Sequence, residues 1–259
     1  MKKLLLVLLA LFISGCERDM ELTIATTTSL ENSGLLDYII PEFEEETGYT
    51  VSIVAVGTGA ALEMGRNGDV DALLVHAKDQ ELLFVEEGYG EKRADIMYND
   101  FVFIGPAVIE EAPLDRAFAY MLENEMDFFS RGDNSGTHMK ELSLWKEYGF
   151  DISTFGDWYM ETGQGMGNTI SMANLEGYYT FTDRGTFLSM RDNIDLVIAY
   201  ENSDELINQY GVIKVNPELH EINEGGADLF FEWMVSSETQ ELIGTFKKYG
   251  ETLFHPNAK

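Results

Sequence analysis

The stretch Leu22-Thr23-Ile24-Ala25-Thr26-Thr27-Thr28-Ser29 decides how this chain is read, because a short apolar run stops abruptly in three threonines and a serine. Leu22 to Ala25 fits a buried strand, and from Gly34 to Thr47 the apolar residues Leu35, Leu36, Ile39, Ile40 and Phe43 recur at helical spacing. The alternation repeats outward. Val51 to Val56 is a β-branched run followed by a helical pattern from Ala60 to Met64. Ala72 to His76 reads as a strand, Asp79 to Glu87 as a helix stopped by Gly88, and Phe101 to Ile104 as a strand ending at Gly105-Pro106. Strands alternating with helices predict an α/β protein whose parallel sheet is covered by helices on both faces.

A second series begins past Pro106. A helix is predicted near Leu114 to Asn124, a strand at Asp127 to Ser130 and a helix from about His138 to Tyr148. Strand patterns at Asp157 to Glu161 and Tyr178 to Thr182 lead to helices near Thr169 to Leu175 and Thr186 to Met190. Apolar runs at Leu196 to Tyr200 and Val212 to Val215 precede closing helices at Ala227 to Val235 and Thr239 to Tyr249. There is no repeat and no low-complexity linker, so two α/β lobes are expected to be joined by crossovers within strands, near Phe101 to Pro106 and near Tyr200 to Val215. Residues 21–104 and 212–259 would form one lobe and 105–211 the other, with the ligand in a central cleft.

Composition narrows the function. The 259 residues are 45% hydrophobic, enough for a sizeable core, and carry 17 Lys plus Arg against 46 Asp plus Glu, a formal net charge of -29. Nucleic acid would have to approach through that negative field without a basic run to receive it. A single cysteine removes disulfides, zinc knuckles and CxxC redox pairs. The first residues point to export. Lys2 and Lys3 precede continuously apolar Leu4 to Ile13, which as a helix spans roughly 15 Å, about half a bilayer core. Residues 1–15 are read as a signal peptide and 16–20 as a tether.

Open α/β sheets bind ligands beyond the carboxyl ends of their strands, where helix N-termini point backbone amides into the crevice. Four such turns are rich in small donors: Thr26 to Ser29, Gly57-Thr58-Gly59, Arg131 to Thr137, and Thr162 to Gly167. Any one of them is explained by helix capping and tight turning. Together their hydroxyls, glycine-exposed amides and the fork of Arg131 make a set of donors with few acceptors, which suits a small oxyanion.

The block Ile13-Ser14-Gly15-Cys16 resembles the lipobox of exported prokaryotic lipoproteins, which implies cleavage before Cys16 and lipid on its thiol. Ala25 to Ser29 with Glu31 to Leu36, Val56 to Gly59, Gly65 to Asp71, Met97 to Phe101, Ser130 to His138, Glu161 to Gly167, Thr182 to Thr186 and Tyr210 to Ile213 resemble the tungstate-binding lipoproteins of bacterial and archaeal ABC importers. The resemblance implies the two-lobed type II periplasmic-binding-protein fold and capture of tungstate, possible also for molybdate, for delivery to a permease and its ATPase. It implies a monomer tethered to the outer face of the cell membrane, without cofactor or catalysis. By the same analogy Thr27, Thr28 and Ser29 on one lobe, and Arg131 and Thr137 on the other, contact the anion. The amides near Thr58, Ser135, Gly136, Gly165, Met166 and Gly167 complete the cage. Archaeal proteins that ligate the metal through carboxylates do not match these motifs, so the metal is expected only inside its own four oxygens.

Alternatives stay open at this stage. Arg184 either adds a second cation or pairs with Asp183. Asp133 either caps its turn or accepts a proton from hydrogen phosphate, and Arg131 to Thr137 is also similar to the turn of phosphate-binding lipoproteins; sulfate has the same donor needs as tungstate. An exported hydrolase or a ligand-free adhesin are the other classes, although the histidines 76, 138, 220 and 255 lack metal-ligand spacing and no HExxH or GxSxG occurs. The acidic surface is no obstacle to an anion, since charges beyond about 10 Å are largely screened at 0.1 M salt while amides in a closed cleft act at contact. Calorimetry at rising NaCl is expected to find tight oxyanion binding that survives mild screening; a site abolished by it would contradict the closed cleft.

Overall fold

The computed structural model describes residues 20–259; the signal segment and Cys16 lie outside the described residues. Strand β1 (Glu21–Thr27) buries Leu22, Ile24 and Ala25 and pairs in parallel with β2 (Thr50–Val56) and β3 (Ala72–Val75). Each hands on to a helix: α1 (Thr28–Ser33) and α2 (Leu35–Thr47) after β1, α3 (Thr58–Asn67) after β2, and α4 (Lys78–Glu86) after β3. Gly34, at φ 82°, ends α1 in the left-handed region and lets the chain turn at once into α2.

The next strand, β4 (Gly90–Gly105), is long. The second half of the molecule follows it, with α5 (Leu114–Glu123), β5 (Phe128–Ser130), α6 (Gly136–Glu147), β6 (Tyr159–Glu161), α7 (Met166–Glu176), β7 (Tyr179–Asp183), α8 (Arg184–Met190) and β8 (Val197–Tyr200). The chain returns through β9 (Ile207–Val215) and closes with α9 (Glu224–Val235) and α10 (Ser237–Thr245). Strand order is β2-β1-β3-β9-β4-β7-β5-β6, with β8 also on β4.

The sheet is mixed, which corrects the expectation of a parallel one. β9 runs antiparallel to β3 and β4, and β4 runs antiparallel to β7 and β8. Periodicity reports burial and is blind to strand direction, so the two strands that carry the chain between halves were indistinguishable from the rest. β4 pairs with β9 from Gly90 to Asp100 and with β7 from Phe101 to Ile104, so the exchange of partners falls inside one strand. Its polar first part, Glu91-Lys92-Arg93-Ala94-Asp95, hid most of its length from an apolar-run search. β9 likewise starts at Ile207, ahead of the apolar run at Val212 to Val215. The final helix stops at Thr245, and Lys247–Lys248 instead pairs with Glu251–Thr252.

One buried cluster surrounds Ile24, Leu74, Val102, Tyr210 and Phe230; a second, aromatic one joins Phe103, Phe118, Phe128, Trp145 and Phe181 under the second half. Trp145 and Trp158 are core as expected, while Trp233 is partly exposed and donates to Glu46 Oε2 at 3.0 Å.

A buried acid joins α6 to the strands below it. Glu141 is 1% exposed, and its carboxylate accepts from Ser130 Oγ at 2.7 Å, Tyr159 Oη at 2.7 Å and Trp145 Nε1 at 3.1 Å. Burial pushes its pKa up to about 7, against the pull of those three donors. The folded value lies above the unfolded one, so its contribution is complete below pH 4.5 and is lost as pH rises through 7. The loss is about 3 kcal/mol at roughly 1.4 kcal/mol per unit of pKa. Denaturant titrations from pH 4.5 to 8 are expected to show this decline in the wild type and a flatter profile in Glu141→Gln; equal slopes would refute the assignment.

Candidate oxyanion site

Register brings the donor turns to common levels. Thr27 lies opposite Val56 and Thr26 opposite Leu74, so β1, β2 and β3 end together and release α1, α3 and α4 from one rim. Ser130 lies opposite Glu161, so the turns into α6 and α7 also leave from one level. The four turns singled out by sequence are therefore two adjacent pairs.

Their caps differ in kind. Thr27 caps α1 by accepting from Leu30 N at 3.3 Å, and Ser135 caps α6 by accepting from His138 N at 3.3 Å. Capping thus explains these two hydroxyl oxygens, although a hydroxyl that accepts still has a proton to give. α3 and α7 are capped by Gly57 and Gly165, which have no side chain to accept from the first amides. A Cβ at Gly57, Gly59, Gly163 or Gly165 would meet nothing within 4 Å, so these backbones border open space. Thr28 and Thr58 begin α1 and α3; Thr28 is exposed and Thr58 partly so. Met166 is buried against the core, leaving its amide rather than its side chain to the turn.

The turn before α6 is the most elaborate. Asp133 Oδ2 accepts from Arg131 Nη2, and Asp133 Oδ1 accepts from Ser135 N at 3.1 Å. Burial opposes the charge of Asp133, yet hydrogen bonds from Ser135 and the Arg131 guanidinium outweigh it and hold the carboxyl below its ordinary value. The Ser135 amide is thereby turned toward Asp133, while its hydroxyl oxygen accepts from His138 N. What stays available is Arg131 Nε, buried without a partner, with the first amides of α6 at Gly136 and Thr137. His138 lies beneath, 4% exposed: its Nδ1 accepts from Asn134 N at 3.0 Å, which puts the ring proton on Nε2, 3.5 Å from Glu161 Oε1.

Arg184 is elsewhere employed. Its Nε and Nη2 grip Asp100 at 2.7 and 2.5 Å, and Nη2 also reaches Glu201 Oε2 at 2.6 Å. Nε and Nη2 are thus given to Asp100 and Glu201, so the ion pair considered for Arg184 forms with these two carboxylates rather than with Asp183. Asp183 instead caps α8, accepting from Thr186 N at 2.8 Å and Thr186 Oγ1 at 2.6 Å.

Sequence reasoning missed the residue that joins the two groups of turns. His76, just past β3, has Nε2 3.3 Å from Ser29 Oγ, which is itself 3.1 Å from Thr27 Oγ1. A Cβ on Gly136, at the start of α6, would stand 3.3 Å from His76 Cε1. The ring thus lies within hydrogen-bond reach of α1 on one side and close to the start of α6 on the other. Its position at a strand end, the rule that selected Thr27 and Arg131, was the signal; a search for metal-ligand spacing passed over it. Ser29 and Gly167, with Asp183, line one cavity of about 250 Å³, which draws in α7. A larger concavity of about 850 Å³ lies at the opposite strand ends, where Glu21, Asp69, Asp71 and Glu224 make it hostile to anions. Among the described residues no group of three His, Cys, Asp or Glu could hold a bare metal ion.

Residues 17–238 match the model of a PBP superfamily domain. A tungstate-binding protein TupA of Peptoclostridium acidaminophilum is 47% identical over 100% of this chain and 99% of its own, and one of Campylobacter jejuni is 39% identical over 89% of each. The solved structure of the tungstate-binding protein TupA from Desulfovibrio alaskensis superposes with a TM-score of 0.86 at 46% identity, covering 92% of this chain and 99% of that one. The chain belongs to the periplasmic-binding-protein superfamily, in the family of the TupA proteins.

Proposed function

We propose that this protein is the extracytoplasmic solute-binding component of an ABC importer, that it captures tungstate, and that it passes the anion to a membrane permease driven by an ATPase. The observation that carries this reading is the gathering of uncapped helix N-termini at two aligned strand rims, with Arg131 Nε buried and unpartnered among them. Helix N-termini carry about half a positive charge each and present amides that a desolvated anion needs. The names borne by the full-length relatives support tungstate as the anion.

The contacts proposed are Thr27, Thr28 and Ser29 with the amides near Thr58 on one side, and Arg131, Gly136, Thr137 and the amides of Gly165, Met166 and Gly167 on the other. The two sides would be lobes that close on the ligand, 21–104 with 212–259 and 105–211, the partner exchange in β4 serving as hinge. Binding and release, not turnover, is the activity we assign. Hydrogen phosphate, the rival ligand, must donate its proton to an acceptor, and Asp133, which accepts from Arg131 and Ser135 with one bond on each oxygen, is the carboxylate in this turn that would have to take it. A fully deprotonated tetraoxo dianion makes no such demand. Export and a lipid on Cys16 complete the proposal; among the described residues no helix is long and apolar enough to cross a membrane.

Titration calorimetry with tungstate, molybdate, sulfate and phosphate in parallel tests the reading. Tungstate is expected to bind tightly and phosphate not to displace it at equimolar concentration; preference for phosphate would overturn it. Arg131→Ala should weaken tungstate by roughly tenfold to a hundredfold, the loss of one charge-assisted hydrogen bond. Arg184→Met, by contrast, strands Asp100 and Glu201 without their cation, so it should lower the melting temperature while tungstate affinity stays within about threefold, a change under 0.7 kcal/mol. A large affinity loss in Arg184→Met would return that residue to the site.

A further inference from the structure

His76 has two side-chain hydrogen-bonding neighbours and, when neutral, one N–H. Ser29 Oγ lies 3.3 Å from Nε2, and Asn208 supplies the ring's other side-chain hydrogen bond. Asn208 Nδ2 gives its two protons to Asn99 Oδ1 at 2.8 Å and Tyr210 Oη at 3.4 Å, which leaves the Asn208 carbonyl oxygen to face the ring as an acceptor. With its single N–H given to that oxygen, the neutral ring can meet Ser29 only as an acceptor and holds the Ser29 proton on Nε2. That proton is the one an oxyanion at the rim of α1 requires. A charged ring has an N–H for each neighbour, and the Ser29 hydroxyl is then free to turn outward.

The surroundings keep the ring neutral while the site is empty of anion. Burial pushes its pKa below the ordinary histidine value, and the charge of Asp183 pulls the other way without prevailing. Tyr210 on β9 covers the ring with centroids 4.9 Å apart, and burial raises its phenol, so it stays uncharged. α1 presents Ser29, and α6 presents the Gly136 backbone; that helix and its preceding turn also carry Arg131, Asp133, His138 and Lys140. Because one face of the ring's contacts is the Ser29 turn and another is the start of α6, an anion held by both of these must sit beside it.

We propose that His76 is the positioning residue of this site: as the oxyanion binds, the ring takes a proton from solvent and the Ser29 hydroxyl turns from Nε2 to the anion. The inference rests on the reading that a tetraoxo dianion is held between α1 and α6. Atoms balance as one proton gained by the ring and one hydrogen bond moved from histidine to ligand.

The test is titration of the purified full-length chain, in detergent, with tungstate in buffers of different ionisation heat at pH 7, repeated from pH 6 to 8. The dependence of measured heat on buffer gives the protons taken up; roughly 0.5 to 1 per anion is expected, with affinity falling by up to about tenfold per pH unit as pH rises. His76→Gln, which keeps a donor and an acceptor, should abolish the uptake and flatten the profile. Ser29→Ala should weaken binding and lose most of the pH dependence. Tight binding by the wild type without proton uptake would overturn the proposal, as would the same uptake in His76→Gln, which would move the proton to another group such as His138. Failure of the wild type to bind tungstate at all would overturn the reading of the site itself, a distinguishable result.

Discussion

The first amides of an α-helix have no partner inside the helix, and this chain leaves several of them unserved in one place. Everything at the candidate site depends on that constraint. Parallel pairing ends β1, β2 and β3 on one rim and β5 and β6 on another, so the helices that follow start side by side. Where a side chain would ordinarily satisfy the amides, α3 and α7 have glycine. Such an arrangement costs stability in the absence of a guest and finds compensation in a small oxyanion, whose own desolvation is the chief cost of entering.

Charge at the site is managed locally rather than by the whole surface. The net charge of -29 would repel a dianion if fields summed without screening. Instead three carboxylates in and around the donor turns are hydrogen-bonded: Asp133 by Arg131 and Ser135, Asp183 by Thr186, and Glu141 by Ser130, Tyr159 and Trp145. An occupied carboxylate still repels a dianion, but its hydrogen-bond donors offset part of its charge.

Much of this was legible from residue order. Helices α2, α5, α7 and α9 stand where the apolar spacing put them, and the turns at Thr27, Gly57, Ser130 and Glu161 fall at strand ends as read. Direction was not legible, because an antiparallel β9 and a parallel β3 bury the same kinds of side chain. Nor was long-range pairing: that Arg184 would meet Asp100 and Glu201 rather than its neighbour Asp183 depends on β4 lying beside β7. His76 escaped for a related reason. Its importance comes from Ser29, 47 residues away, and from Gly136 across the site, and no local pattern encodes either contact.

The central claim is that backbone amides at clustered helix starts, with Arg131, hold a tetraoxo dianion whose metal atom touches no protein atom. A crystal structure grown with tungstate, using the anomalous signal of tungsten to place the metal, tests it most directly. The account predicts one peak between the starts of α1 and α6, with oxygens within hydrogen-bond distance of Gly136, Thr137 and Arg131. A peak ligated by carboxylates, or one seated in the acidic concavity around Asp69 and Asp71, would contradict it.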